Sequence, residues 1–152
     1  MKGDKVVAIC DRHCNIVSPF ISAPGNRNES PLLKPAIESL RKTAQSIGIS
    51  LSGSISSWDG VYDSKANRKH IFNAGMTPNI PENKRNRKKT KRGRKRTFKI
   101  EIFKERFETI EHVFAWEDKF KRLLLRFERI SELHYAMKLI AYALINLRHF
   151  AK

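Results

Sequence analysis

The fold prediction depends on residues 49–73, which read ISLSGSISSWDGVYDSKANRKHIFN. Apolar and small polar residues alternate over 49–57, which is the period of a β-strand with two different faces. A short loop follows, and the pattern then predicts a helix over about 64–73. Asp59 comes directly after the strand, at the edge where α/β sheets bind their ligands. This stretch therefore predicts both a fold class and a candidate site.

The sequence on either side of this stretch adds a hairpin and further helices. Apolar and β-branched residues predict strands over 5–11 and 16–22, joined by a turn. A helix is predicted to begin at a Ser30 cap, and the chain is predicted to be helical from about Lys99 to its end. The order β, β, α, β, α, basic loop, α, α predicts an α/β layered fold. We therefore expect a single domain over 1–152.

The charge is large and unevenly distributed. Lys plus Arg number 31 against 15 Asp plus Glu, which gives a net charge of +16. Ten of the thirteen residues over 84–96 are basic and none is acidic, so 82–98 is predicted to be a flexible basic loop. Such a run suits contacts with DNA phosphates. The predicted DNA-binding residues are Lys84, Arg85, Arg87, Lys88, Lys89, Lys91, Arg92, Arg94, Lys95 and Arg96, with Arg122 and Arg126 on a later helix.

A basic protein that binds nucleic acid without catalysis is the alternative function. A ribosomal-type protein of this kind needs the basic loop but no acidic site. Metal affinity that depends on Asp59 would separate the two interpretations.

Other protein classes find little support. Cys10, His13 and Cys14 offer three soft ligands where structural zinc takes four, and two cysteines make no disulfide framework. No stretch reaches the apolar length of a membrane span, and no signal peptide is recognisable. We therefore expect a cytoplasmic protein without a membrane partner.

A second acidic residue, Glu111, lies on the helix predicted after the basic loop. It is four residues from Phe107 and three from Phe114, which are predicted to lie on the buried stripe, so its carboxylate is expected to point across the core edge. One carboxylate at a strand end and one on a helix can hold Mg²⁺, the ion that stabilises phosphate displacement in two-metal sites. Spacing alone leaves open that Asp59 caps a turn and that Glu111 is solvated.

Three stretches resemble the C-terminal part of DDE-type insertion-sequence transposases, a family of proteins encoded by transposable elements. The first is Ala23–Ser30 with Leu32 and Leu33, similar to the family's segment of an apolar strand, Asn, an acid and Leu-Leu. The second is Asp59–Ser64, DGVYDS, similar to the family's Asp-x-Gly-Tyr-Asp-Ser signature. The third is Glu111–Trp116, EHVFAW, and the basic residues after it. These stretches occur in the family's order and span most of the chain.

The resemblance implies an RNase H-like catalytic fold and DNA transposition by metal-dependent strand cleavage and transfer. The family's second catalytic aspartate falls on Asp59 and its catalytic glutamate on Glu111, both as ligands of Mg²⁺ or Mn²⁺. The implied partners are transposon ends, target DNA and a second copy in a homodimer, in the bacterial cytoplasm at the nucleoid. The residues implied to support the site are Tyr62, Asp63, Arg106 and His112.

The chain departs from the family's pattern in two ways. Four residues separate Arg106 from Glu111 where the family has three. The family's first catalytic aspartate, on a strand before the hairpin, has no counterpart, because Asp4 precedes the hairpin and Asp11 lies at its turn. We therefore expect a fragment truncated at its N-terminus, with the first strand missing, that binds metal weakly or not at all. Such a fragment is expected to be inactive alone and to need a complementing N-terminal transposase fragment.

Overall fold

The computed structural model describes residues 4–83, 96–148 and 150. Arg96 is the only predicted DNA-binding residue of the basic loop within those ranges. The other nine lie outside the described residues: Lys84, Arg85, Arg87, Lys88, Lys89, Lys91, Arg92, Arg94 and Lys95. The flexibility of 82–98 stays a prediction.

The predicted hairpin is present, but its paired strands are shorter than predicted and the second lies over 21–24 instead of 16–22. Strand β1 (Asp4–Val7) pairs antiparallel with β2 (Ile21–Pro24). The turn between them is organised by Asp11, whose Oδ1 accepts hydrogen bonds from the backbone N–H groups of His13 and Asn15. This carboxylate is therefore used in the turn itself.

The second sheet is short and parallel. Strand β3 (Ile55–Ser57) pairs with β4 (Thr77–Asn79). The predicted strand over 49–57 is right only in its last three residues. Gly53 adopts a left-handed φ of 79° and donates its N–H to the Gly75 carbonyl, so the chain turns there instead of extending.

The helices follow the predicted order. Ser64 accepts a hydrogen bond from the Asn67 N–H at 3.0 Å and so caps the second helix, as expected for its residue type. Ser30, in contrast, begins a 3-10 turn, and its hydroxyl accepts from the Asn67 side chain, so the predicted cap at Ser30 is wrong. The five helices are α1 (Leu33–Ser46), α2 (Lys65–Asn73), α3 (Ile100–Glu117), α4 (Lys121–Leu124) and α5 (Ser131–Leu147).

Helix α1 holds one core cluster together. Leu33 and Ile37 are fully buried, and their cluster reaches Val7 on β1 and Trp58 and Tyr62 after β3. One helix therefore packs against both small sheets. Within the described ranges, no backbone ladder joins the two sheets to each other.

A second core cluster lies on the other side of the hairpin. Val113 of α3 packs there with Tyr142 and Ile145 of α5 and with Ile16 of the hairpin. Successive side chains of an extended strand point to opposite faces of the sheet. Both faces of this hairpin are buried, one in each core cluster. The result is a mixed α/β architecture with helices on both sides of the hairpin, which agrees with the predicted fold class.

The buried face of α3 differs from the predicted stripe. Phe107 is 57% exposed and Phe114 is 36% exposed, whereas Thr109 and Val113 are buried. Apolar residues occur on most of this helix's surface, so the sequence did not define one face. Packing against α5 selects the face that carries Val113.

Helix α5 also buries a different face from the one that its leucine and isoleucine residues predict. Leu133, Ile140, Leu144 and Leu147 are each at least half exposed. Ion pairing selects the buried face, because the buried Lys138 and Tyr142 both contact the Glu117 carboxylate of α3. None of the helices in the ranges described above has the length and apolar composition needed to cross a bilayer.

Replacing the central residue of the first cluster should destabilise the fold. We expect Ile37→Ala to lower the free energy of unfolding by roughly 2–5 kcal/mol, because it leaves a cavity against both sheets. Urea denaturation followed by circular dichroism measures the change. Ile47→Ala is the matched control, since Ile47 is 62% exposed at the end of the same helix. Equal losses in the two variants would contradict the core assignment.

Candidate functional site

Asp59 lies where the sequence predicts it, two residues after the end of β3. It is exposed, and its Oδ1 accepts the Gly60 N–H at 2.6 Å, so it caps the 3-10 turn Gly60–Tyr62. Its Oδ2 accepts no hydrogen bond from the described part of the chain. One carboxylate oxygen is therefore used structurally, and the other faces solvent at the carboxyl end of the strand.

The turn that carries Asp59 is fixed by buried aromatic side chains. The rings of Trp58 and Tyr62 meet edge to face with centroids 5.1 Å apart, and both are buried. Burial raises the pKa of Tyr62 to about 12, and the charges of Glu29 and Asp59 add to this effect. Tyr62 therefore remains a neutral packing residue beneath the turn, and its supporting role in a catalytic site stays a prediction.

Asp63, the last acid of the DGVYDS motif, is the most buried carboxylate of this region. Its side chain is 1% exposed, and Oδ1 accepts hydrogen bonds from Arg68 Nε at 2.9 Å and Arg96 Nη1 at 2.8 Å. Oδ2 accepts the Asn83 N–H at 3.0 Å. Burial alone raises the pKa of Asp63, but these hydrogen bonds and the two arginine charges outweigh it and hold the pKa below its ordinary value. Asp63 is therefore an ionised structural anchor.

Glu111 is not where the sequence predicts it. It lies on the exposed face of α3, on the same side as Phe107 and Phe114, and opposite the buried Thr109 and Val113. The expectation that its carboxylate points across the core edge is therefore wrong, for the same reason that the predicted stripe is. Its role as a metal ligand stays a prediction.

The carboxylates do not form a metal centre on their own. No three His, Cys, Asp or Glu side chains cluster as metal ligands in the parts of the chain that the structure covers. In the same ranges, Cys10, His13 and Cys14 do not form such a cluster either. Asp59 and Glu111 are hard oxygen ligands of the kind that Mg²⁺ takes, but the described residues bring no third His, Cys, Asp or Glu to form a site with them.

Among the predicted supporting residues, Arg106 stands out because one of its nitrogens is buried without a hydrogen bond in the described part of the chain. Its guanidinium stacks over the Phe103 ring at 5.0 Å, and its Nε is buried without a hydrogen-bond partner. Burial raises the pKa of Cys10 to about 11, and the positive charge of Arg106 opposes that rise, as it does for Tyr62. Arg106 therefore adds positive charge to the surroundings of Cys10 and Tyr62.

His112, the fourth predicted supporting residue, packs within its own helix. It is exposed, and its ring stacks on Trp116 with centroids 6.3 Å apart. This contact is within α3 and does not reach Asp59.

The predicted DNA-binding arginines within the described ranges are all paired with acids. Arg96 binds Asp63, Arg122 binds Glu128 at 2.6 Å, and Arg126 binds Asp4 at 2.7 Å. Arg122 nevertheless remains largely exposed. Of the three, Arg122 is therefore the most accessible to a DNA phosphate.

Sequence reasoning missed two residues that build the site. Arg68 links Asp63 to the chain after β4, since its Nη2 donates to the Ile80 carbonyl at 2.6 Å. The buried Asn67 side chain donates to the Tyr62 carbonyl and to Ser30. The Ser64 cap was a usable signal, because it places both residues in the first turn of α2.

Comparison with known proteins gives one match. The family model described as the transposase DDE domain matches residues 2–145. No curated protein and no solved structure gives a significant match.

Loss of the Asp63 charge should destabilise the fold in a pH-dependent way. At pH 7 we expect Asp63→Asn to lower the free energy of unfolding by roughly 3 kcal/mol, because two arginines lose a buried carboxylate. The folded pKa of Asp63 is lowered, so its contribution is present above the unfolded pKa of about 4 and is lost as the pH falls through the folded value. Urea denaturation at pH 7, 5 and 3 should show the two proteins converging at low pH. A difference that does not change with pH would contradict this.

Proposed function

The chain belongs to the family of transposase DDE domains, and from this we propose that it acts in DNA transposition, by binding DNA and contributing Asp59 and Glu111 to a strand-transfer site. The observation that carries the proposal is the family match over residues 2–145, nearly the whole chain. The exposed Asp59 carboxylate at the end of β3 supports it. We further propose that the α/β architecture is that of an RNase H-like fold.

The two carboxylates are proposed to act only when a third acid joins them. Members of this family use a divalent metal, which supplies Lewis-acid chemistry at the phosphate. The described chain offers no three-ligand cluster for such an ion. We therefore expect weak or no Mg²⁺ or Mn²⁺ binding by the chain alone, and no DNA cleavage, since a catalytic unit fails as a whole when one member is absent.

A complementing transposase segment is proposed to fill the place between the two sheets. In the described residues β1 bonds only to β2 and β3 only to β4, so each sheet has an open edge. Open strand edges are sites for pairing with another strand. The Arg106 Nε, which is buried and has no hydrogen-bond partner among the described residues, suits an incoming carboxylate.

A homodimer, which the family resemblance also suggests, does not meet this need. A second copy of the chain brings only the same two carboxylates, Asp59 and Glu111, and no counterpart of the family's first catalytic aspartate. Dimer formation is therefore proposed as a separate property of the assembled transposase.

The purified chain should bind duplex DNA without cutting it. We expect the affinity, measured by fluorescence anisotropy, to fall roughly tenfold or more between 50 and 200 mM NaCl, because phosphate contacts release counterions. Absence of binding at low salt would contradict the proposed function. Cleavage by the chain alone in Mg²⁺ or Mn²⁺, abolished by Asp59→Ala, would contradict the need for a third acid.

Complementation should create metal-dependent cleavage. The chain is co-expressed with the polypeptide encoded directly upstream of Met1, read in each frame, and the complex is assayed on transposon-end DNA with Mn²⁺. We expect activity that is lost in Asp59→Ala and in Glu111→Ala. Glu108→Ala is the matched control, as an exposed acid one turn before Glu111. A complex that cleaves equally well with Glu111→Ala would remove Glu111 from the site and favour a binding-only role for this helix.

A further inference from the structure

Three donors from distant parts of the chain meet at the Asp63 carboxylate. Arg68 and Arg96 bind Oδ1, and the Asn83 N–H binds Oδ2. Charge-assisted hydrogen bonds to a buried carboxylate are stronger than those between neutral groups. Asp63 therefore fixes the positions of all three residues.

Two of these donors flank the densest cationic stretch of the sequence. Asn83 is the last residue before 84–95, and Arg96 is the first residue after it. Both lie within hydrogen-bond distance of the same carboxylate, at 3.0 Å and 2.8 Å. The two ends of this stretch are therefore held close together, and nine of its twelve residues are Lys or Arg.

The same residue ties these ends to the turn that carries Asp59. The Asp63 N–H donates to the Gly60 carbonyl at 3.1 Å, which closes that turn. Arg68 adds a second tie, since its Nη2 holds the Ile80 carbonyl just before the basic stretch begins. The ends of the cationic stretch therefore lie beside the turn that carries Asp59, where Pro81 also approaches Gly60.

We propose that Asp63 is a positioning residue that anchors both ends of 84–95 beside Asp59, so that DNA bound by those cations is held at the candidate site. This inference rests on the proposed DNA-binding function and deepens it. It assigns the second acid of the DGVYDS motif to DNA positioning and not to metal binding, because both of its oxygens already accept hydrogen bonds.

Simple electrostatics predicts the opposite effect of a mutation, which makes the inference testable. Asp63→Asn removes one negative charge from a protein of net charge +16, so charge alone predicts tighter DNA binding. Loss of the anchor predicts weaker binding. The sign of the change in Kd therefore separates the two explanations.

The experiment compares the full-length chain with Asp63→Asn and Glu38→Gln. Glu38 is an exposed acid on α1, so its variant has the same net charge as Asp63→Asn. Kd for a duplex is measured by fluorescence anisotropy at fixed salt, below the melting temperature of each protein. We expect roughly three- to tenfold weaker binding by Asp63→Asn, from the lost alignment of phosphate contacts, and unchanged or tighter binding by Glu38→Gln. Faster amide exchange at Asn83 in Asp63→Asn locates the change.

A second pair of variants keeps the test valid if Asp63→Asn does not fold. Arg68→Gln and Arg41→Gln each remove one positive charge, and neither arginine is among the predicted DNA-binding residues. Of the two, only Arg68 binds Asp63, whereas Arg41 is exposed on α1. We expect the larger loss of affinity in Arg68→Gln. Equal affinities within each matched pair, or tighter binding by Asp63→Asn, would overturn the inference. Failure of the unmodified chain to bind DNA would instead overturn the proposed function.

Discussion

Side-chain packing against α1 is what joins the two small sheets of this protein. Leu33 and Ile37 contribute to one cluster with Val7 of the hairpin and Trp58 after β3. In the described part of the chain the sheets share no backbone ladder, so apolar contact takes the place of strand pairing. The position of the Asp59 turn relative to the hairpin consequently depends on a few buried aliphatic residues.

Acidic residues are scarce in this chain, and several of them serve as ties between distant elements. Asp63 joins α2 to both ends of the basic stretch, Glu117 joins α3 to Lys138 and Tyr142 of α5, and Asp4 joins the hairpin to Arg126 and Tyr135. Each tie neutralises cations inside the fold. The described fold therefore neutralises part of its own positive charge, while nine of the twelve residues over 84–95 are Lys or Arg.

The local parts of the fold and site were predictable from sequence, and the non-local parts were not. The hairpin, the Ser64 cap and the placement of Asp59 after a strand follow from short-range patterns. The face of α3 that carries Glu111 did not, because Phe103, Phe107, Ile110 and Phe114 mark one face of the helix, whereas packing against α5 buries the face that carries Val113. The partners of Asp63 are up to 33 residues away, and no spacing rule identifies them.

The exposed leucine and isoleucine side chains of α5 affect how the protein behaves in solution. Met137, Ile140 and Leu144 line an apolar groove of about 210 Å³ beside α4 on a molecule of high positive charge. Salt that strips nucleic acid from the cations also screens their mutual repulsion, while apolar association is unaffected or strengthened. Raising the ionic strength therefore removes bound nucleic acid but favours association of the protein with itself. We expect the apparent mass in light scattering to rise over the same range of salt in which bound nucleic acid is lost.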